Sequence, residues 1–249
     1  MTATEQITLP SKGYVYPKSN PLSQGFVEMR YMTAKDEDLL TNPNNRKNGA
    51  TELIDKLLKA LIVTKEVNID DLIEGDRNQL LIAARVLSYG SVYTFTMTSL
   101  LDDDRTVTQT VDLSKLEDVE IDFSQFKEGE NIFKYKLPKS EIDVEFKLLT
   151  HGDIKEIQKE SQANFAAYFS PNDVTIRLKK QIISVKGDSS KSTINSFVND
   201  MLAIDSREFR KYYRRISPDV NTTFVYEENG YTEGGVNIPL SFVDMFFRE

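Results

Sequence analysis

The sequence predicts an α+β protein: two helical groups separated by a β-rich middle region and closed by a C-terminal β-hairpin. Three observations carry this. Ile54, Leu57, Leu58, Leu61 and Ile62 recur at i, i+3, i+4, i+7 and i+8, which puts them on one face of a helix. Composition changes abruptly at residue 91, where SVYTFTMTSL alternates and is rich in β-branched and aromatic residues. Helical periodicity then returns after Thr150. The chain divides accordingly into an N-terminal arm and short strand (1–32), a helical unit (33–90), a β-rich region (91–150), a second helical unit (151–217) and a C-terminal hairpin (218–249).

Taken in order, the first thirty residues read as an irregular arm lying across a surface, because Pro10, Gly13, Pro17 and Pro21 remove donors and introduce turns. FVEMRY alternates as a strand, with Phe26, Glu28 and Arg30 on one side and Val27, Met29 and Tyr31 on the other. Thr33 and Asp36 form a capping-box pair for a short helix that NPNN, residues 42–45, would stop. After the helix around Leu57, a helical turn follows Asn68. Asp76 is then expected to cap a helix whose inner face is Leu80, Leu81, Ala84, Leu87 and Ser88, ending at Gly90.

In the middle region SVYTFTMTSL, DDDR and TVTQTVDL read as a hairpin. LEDVEIDF, NIFKYKLP and EIDVEFKLL read as further strands. Thr150 and Asp153 make another capping box, and residues 170–173 interrupt. VTIRLKKQIISVKG is ambiguous, its apolar residues satisfying helix and strand periods each in part, and GDSSKS reads as a loop or linker. Ile194, Phe197, Val198, Met201 and Leu202 define a helix. Asp205 with Glu208 is expected to cap the next one, with Phe209, Tyr212, Tyr213 and Ile216 inward. The tail reads as two strands joined through Asn229-Gly230 and Gly234-Gly235. Both halves run helices first and hairpin second, which is either a degenerate repeat or coincidence.

Charge and composition exclude several functions. The 249 residues carry 31 Lys plus Arg against 39 Asp plus Glu, a net charge of −8, with one His and no Cys. Disulfides, thiolate nucleophiles, iron–sulfur clusters and Cys- or multi-His-ligated metals are therefore ruled out. The acidic balance argues against nucleic acid and anionic membranes as partners, and no run of about 18 apolar residues could form a stable membrane insertion. Residues 102–130 hold ten acids against three bases. Residues 207–215 form an opposing basic helix carrying Arg207, Arg210 and Arg214, which would face that acidic region or an acidic partner.

Candidate chemistry is sparse. Asp143-x-Glu145-x-Lys147 has the Glu-x-Lys core of magnesium-dependent nucleases, but the same residues are what the solvated face of an amphipathic strand displays. Asp102-Asp103-Asp104 lacks calcium-loop spacing, and His151 reads as a turn residue at a helix start. The phosphate-binding and dinucleotide motifs are absent, so no cofactor is expected. In the tail, V225-Y-E-E-N-G has the rhythm of a zinc-ribbon knuckle with Tyr226 and Asn229 at the cysteine positions, so packing alone would have to hold it. For partner contact the residues offer Tyr14 and Tyr16 in the arm, Asp76 and Arg77 in the Gly75-Asp76-Arg77 turn, the three arginines, and Phe246 with Phe247. Each has a core or turn role as its alternative.

The opening LPSKGYVYP, the step VEMRYMTAKDEDLL, the helix LLKALIV, the run IEGDRNQLLIAARVLSYGSVYTF and the closing FF together resemble the T4-type bacteriophage baseplate hub assembly proteins, a group that includes the hub assembly catalyst. Residues 72–93 are the most diagnostic stretch. Some relatives have hairpins like zinc ribbons, and the absence of cysteine here departs from them, implying metal-free ribbon-like hairpins. The resemblance implies a non-enzymatic protein that helps build the central hub of a contractile tail baseplate in the cytoplasm of the infected bacterium. Its partners would be other hub proteins. It would be either a transient assembly factor or a hub component retained in the virion.

Overall fold

The computed structural model describes residues 3–42, 49–168, 173–240 and 245–246. Its described residues form seven α-helices and four small antiparallel sheets, an α+β arrangement closed by a C-terminal hairpin.

The N-terminal arm is not an irregular surface strap. Strand β1 (Thr4–Thr8) pairs antiparallel with β2 (Phe26–Arg30), Thr4 opposite Arg30. The intervening turn drives Leu9, Val15, Tyr16 and Leu22 into the core. β1 escapes sequence reading because four of its five residues are exposed, so it shows no apolar alternation. In β2 the expected alternation holds, with Val27 and Met29 fully buried.

The capping box at Thr33 and Asp36 opens α1 (Ala34–Thr41), and Arg30 grips the same Asp36 carboxylate through two hydrogen bonds of 2.7 and 2.8 Å. The stop at residues 42–45 lies largely outside the described residues. Helix α2 (Ala50–Leu61) buries Ile54, Leu57, Leu58 and Leu61, the face its spacing predicts. The Asn68 side chain caps a turn at Ile69–Asp71. Helix α3 (Glu74–Tyr89) begins before Asp76, with Ile73 at its N-cap, and ends at Gly90. Asp76 therefore does not cap α3; it lies inside the first turn, where its carboxylate serves the arm.

Strands β3 (Val92–Thr98) and β4 (Thr106–Asp112) form the expected hairpin, Val92 opposite Asp112. LEDVEIDF, however, is not a strand. Asp112 and Asp122 accept hydrogen bonds from the backbone N–H of Ser114 and Ser124, closing short turns at Leu113–Lys115 and Phe123–Gln125. Such local side-chain bonds compete with ladder formation, so a bridge from Asp118 to Val220 is the pairing this stretch makes.

Strands β5 (Phe133–Lys136), β6 (Asp143–Phe146) and β7 (Ile182–Val185) build a three-stranded sheet in that order. Between β6 and β7 lie α4 (His151–Tyr168), opened by the Thr150/Asp153 box, and α5 (Asp173–Gln181). Most of the interruption at 170–173 lies outside the described residues. The ambiguous run from Val174 is both things in turn, since α5 passes directly into β7. Helix α6 (Lys191–Asn199) is capped by Ser190 and ends before Met201 and Leu202. Helix α7 (Ala203–Ile216) starts earlier than expected, with Leu202 as N-cap. Asp205 is not its cap: its carboxylate accepts from the N–H groups of Lys139 and Ser140 at 2.8 and 3.0 Å, tying down the β5–β6 turn.

The last hairpin joins β8 (Thr223–Glu228) to β9 (Tyr231–Asn237) through Asn229 and Gly230, both at positive φ (50° and 84°), as a type I′ turn requires. Gly234 and Gly235 are not a turn; they sit inside β9, opposite a register shift between Phe224 and Tyr226. The two hairpins pack together, the Phe95 and Phe224 rings meeting edge to face at 5.3 Å. One continuous hydrophobic cluster runs from Leu9 through α2, α3 and the central sheet to Phe246, and a small satellite joins Leu149, Ile157 and Ile176.

Candidate partner-binding surface

The arm and the turn at Gly75-Asp76-Arg77 meet in a buried knot. Asp76 is wholly enclosed. It accepts from the Ser11 N–H at 2.9 Å, the Ser11 hydroxyl at 2.6 Å and the Tyr16 hydroxyl at 2.5 Å. Tyr16 in turn accepts from the Ile73 N–H at 3.0 Å. Burial pushes the Asp76 carboxyl up to about 6 against the hydrogen bonds that favour its charged form, and Tyr16 is raised well above its ordinary value, chiefly by burial. Tyr16 and Asp76 thus hold the fold together from within, both side chains being buried. Tyr14 is half-buried against Phe123 at 5.0 Å and Phe126. Phe246 is buried edge-on to Tyr89, and Phe247 lies outside the described residues.

Arg77 points into a second internal network. It lies 3.5 Å from Asp55, whose other neighbours are His151 Nε2 at 2.7 Å and Lys155 Nζ at 3.5 Å. Lys155 also binds Asp70 at 2.6 Å. Burial tends to raise the Asp55 carboxyl, but the His151 hydrogen bond and the Arg77 and Lys155 charges outweigh it and leave the group below its ordinary value. Asp55, Asp70 and His151 are the one grouping of three metal-type ligands among the described residues. The Lys155 ammonium bridges two of them and supplies the positive charge that a cation would bring. His151 is more than a turn residue: it is buried and bridges α4 to α2. Its role is invisible in sequence because its partner is 96 positions away.

The Asp143, Glu145, Lys147 set does not converge on a metal. Asp143 is exposed, Glu145 pairs with Lys134 at 3.5 Å across the sheet, and the Lys147 ammonium is held by both Asp153 oxygens at 2.7 and 2.8 Å. A lysine so engaged is not free to polarise water.

The exposed arginines of α7 remain. Arg207 pairs with its neighbour Glu208 at 3.2 Å. Arg210 and Arg214, four residues apart and so on one face, have no carboxylate partner among the described residues. They do not pair with the acidic region of their own chain. Instead both line a cleft of about 350 Å³ between the start of α3, the link from β6 to α4 at Leu148 and Leu149, the end of α5 and the segment after α7. Across it stand Arg177, paired with Glu74 at 3.1 Å, and Asp219, hydrogen-bonded by Asn78 at 3.1 Å and raised by burial. Tyr213 forms part of the floor and accepts from the Leu149 N–H at 2.8 Å; burial pushes its hydroxyl up to about 12. Gln181 is 2% exposed, and its Oε1 has no hydrogen-bond partner. Arg177, Gln181 and Asp219 carry no motif. Arg177 and Gln181 lie one turn apart in α5 and Asp219 follows α7, and only the unpaired arginine face of α7 hinted at the site.

Gly75 makes this cleft's back wall possible. A Cβ there would lie 1.9 Å from the Pro218 carbonyl oxygen, so α3 can approach the segment after α7 only with glycine. No helix among the described residues is long and apolar enough to cross a membrane.

Comparison with curated proteins and with solved structures gives no significant match. The family model described as "T4 bacteriophage base plate protein" matches residues 6–229, nearly the whole chain, including the arm, the Gly75 turn and every helix that forms the cleft. Such membership implies interaction with other baseplate proteins and a structural or assembly role. On that match, the chain belongs to the T4 bacteriophage base plate protein family.

Proposed function

We propose that this protein is a non-enzymatic assembly factor for the central hub of the phage baseplate, acting in the cytoplasm of the infected host. The observation that carries the reading is the α7 surface, where Arg210 and Arg214 stand exposed without a carboxylate partner among the described residues on a chain of net charge −8. An isolated basic face on an acidic protein is suited to a charge-complementary protein contact rather than to nucleic acid, which the rest of the surface would repel. The candidate contact is therefore Arg207, Arg210 and Arg214. An assembly factor works by differential affinity: it binds a hub subunit best in its assembly-competent conformation and leaves when a later contact replaces it.

The family description equally supports a second reading, a hub component that stays in the virion. Quantitative mass spectrometry of infected lysate and of purified mature particles separates the two. The protein is expected in the lysate and absent from the particles; a stoichiometric amount in the particles would replace the assembly-factor reading with the structural one.

A further inference from the structure

The α7 cleft holds two features that call for different partners. Arg210 and Arg214 offer guanidinium donors with no carboxylate partner among the described residues, Arg210 Nε reaching only the Ser206 carbonyl at 3.3 Å, and Gln181 Oε1 is a buried acceptor with no donor. A buried carbonyl oxygen left unpaired carries its full desolvation cost, so a ligand N–H delivered there gains more than it would at a solvated site. The cleft also has a definite charge. Arg177, Arg210 and Arg214 face Glu74 and Asp219, which leaves one formal positive charge in excess. That suits a monoanionic carboxylate better than a phosphate dianion, which would meet both cleft acids. Its volume, about 350 Å³, is near the small end of ligand sites and fits a short segment of chain.

We propose that this cleft receives an acidic peptide segment of a partner protein, with an Asp or Glu carboxylate against Arg210 and Arg214 and the Gln181 side chain turning its enclosed Oε1 toward the cleft to accept a backbone N–H. A carboxylate and an amide N–H close together are what a polypeptide carries and what a free anion lacks. The inference rests on the reading of this chain as a binder of baseplate partners, and it adds the chemistry of the part that is bound.

The test uses the full chain and two labelled, end-capped hexapeptides, Gly-Gly-Asp-Gly-Gly-Gly and the same peptide with Asn for Asp, followed by fluorescence polarisation at low salt. The Asp peptide is expected to bind at least about tenfold tighter than the Asn peptide, and to weaken as salt rises. Arg210→Glu with Arg214→Glu should abolish that preference. Both positions are exposed, so an unchanged circular dichroism spectrum and thermal midpoint will show the fold intact. Gln181→Met should weaken the Asp peptide severalfold, whereas Lys35→Glu, an exposed α1 position outside the cleft, should change it less than about twofold.

Equal binding of the two peptides, or full preference in the double variant, would overturn the proposal. So would displacement of the Asp peptide by inorganic phosphate at concentrations where acetate has no effect, which marks a phosphate site. Self-association in sedimentation velocity that excludes the peptide would also overturn it, since a second copy would then be the occupant. The two readings fail separately. Loss of hub assembly in the double variant without any peptide preference sinks the cleft and keeps the assembly role. Peptide preference in a protein found in mature particles keeps the cleft and sinks the transient factor.

Discussion

Asp76 shows how one residue type admits opposite roles. Its place beside Gly75 is that of a helix cap, but the hydroxyls of Ser11 and Tyr16 and the Ser11 N–H claim its carboxylate, and Ile73 takes the N-cap position. Tyr16→Phe leaves the buried Ile73 N–H without an acceptor and Asp76 one donor short, so urea unfolding should show a loss of about 2–4 kcal/mol. The carboxyl also leaves a pH signature. Its pKa rises from 3.8 in the unfolded chain to about 6 in the fold, so the native state binds the extra proton between those values. The stabilisation from this group is complete below about pH 4 and falls as pH rises, by up to about 1.4 kcal/mol per unit, until it is lost above about pH 6. Asp36 and Asp55 shift the other way and lose their contribution as pH falls below the ordinary carboxylate range. The stability difference between wild type and Asp76→Asn isolates Asp76 and should be more favourable to wild type at pH 4 than at pH 7.5.

Helices were the most legible elements, and the reason is physical. In α2 the buried residues Ile54, Leu57, Leu58 and Leu61 repeat at the helical period because one face alone meets the core. The Thr33 and Thr150 boxes were legible because every partner lies within three residues. Elements failed where the deciding contact is remote or the pattern is missing. Asp205 looks like a cap and instead binds a turn 65 residues away. β1 has no alternation, and LEDVEIDF has alternation without a neighbour to pair with along its length. Gly75 is the element junction with the sharpest expectation. Gly75→Ala forces its Cβ into the Pro218 carbonyl, so α3 or the segment after α7 must move. Thermal or urea unfolding should show a loss of about 2 kcal/mol or more, and the cleft should lose its peptide preference with it.

For the molecule as a whole, the five segments read from composition share one hydrophobic cluster, which joins the arm at Leu9 to the tail at Phe246. Its continuity leads to the expectation of a single cooperative transition: calorimetric and van't Hoff enthalpies should agree, and two resolved transitions would show independent units. Charge is divided in a way composition only suggested. The acids of residues 102–130 are not neutralised by the arginines of α7, and the cleft those arginines line faces α3 and α5 instead. Class, helix positions, the I′ turn at Asn229-Gly230, the exclusion of thiolate chemistry and the resemblance to baseplate proteins were all present in the order of residues, because each depends on composition or on neighbours a few positions apart. The buried Asp76 knot, the His151–Asp55 bridge and the meeting of Arg177, Gln181, Arg210 and Arg214 in one cleft were not. Those join segments tens of residues apart, and their positions follow from how the helices and the central sheet pack, which no local pattern records.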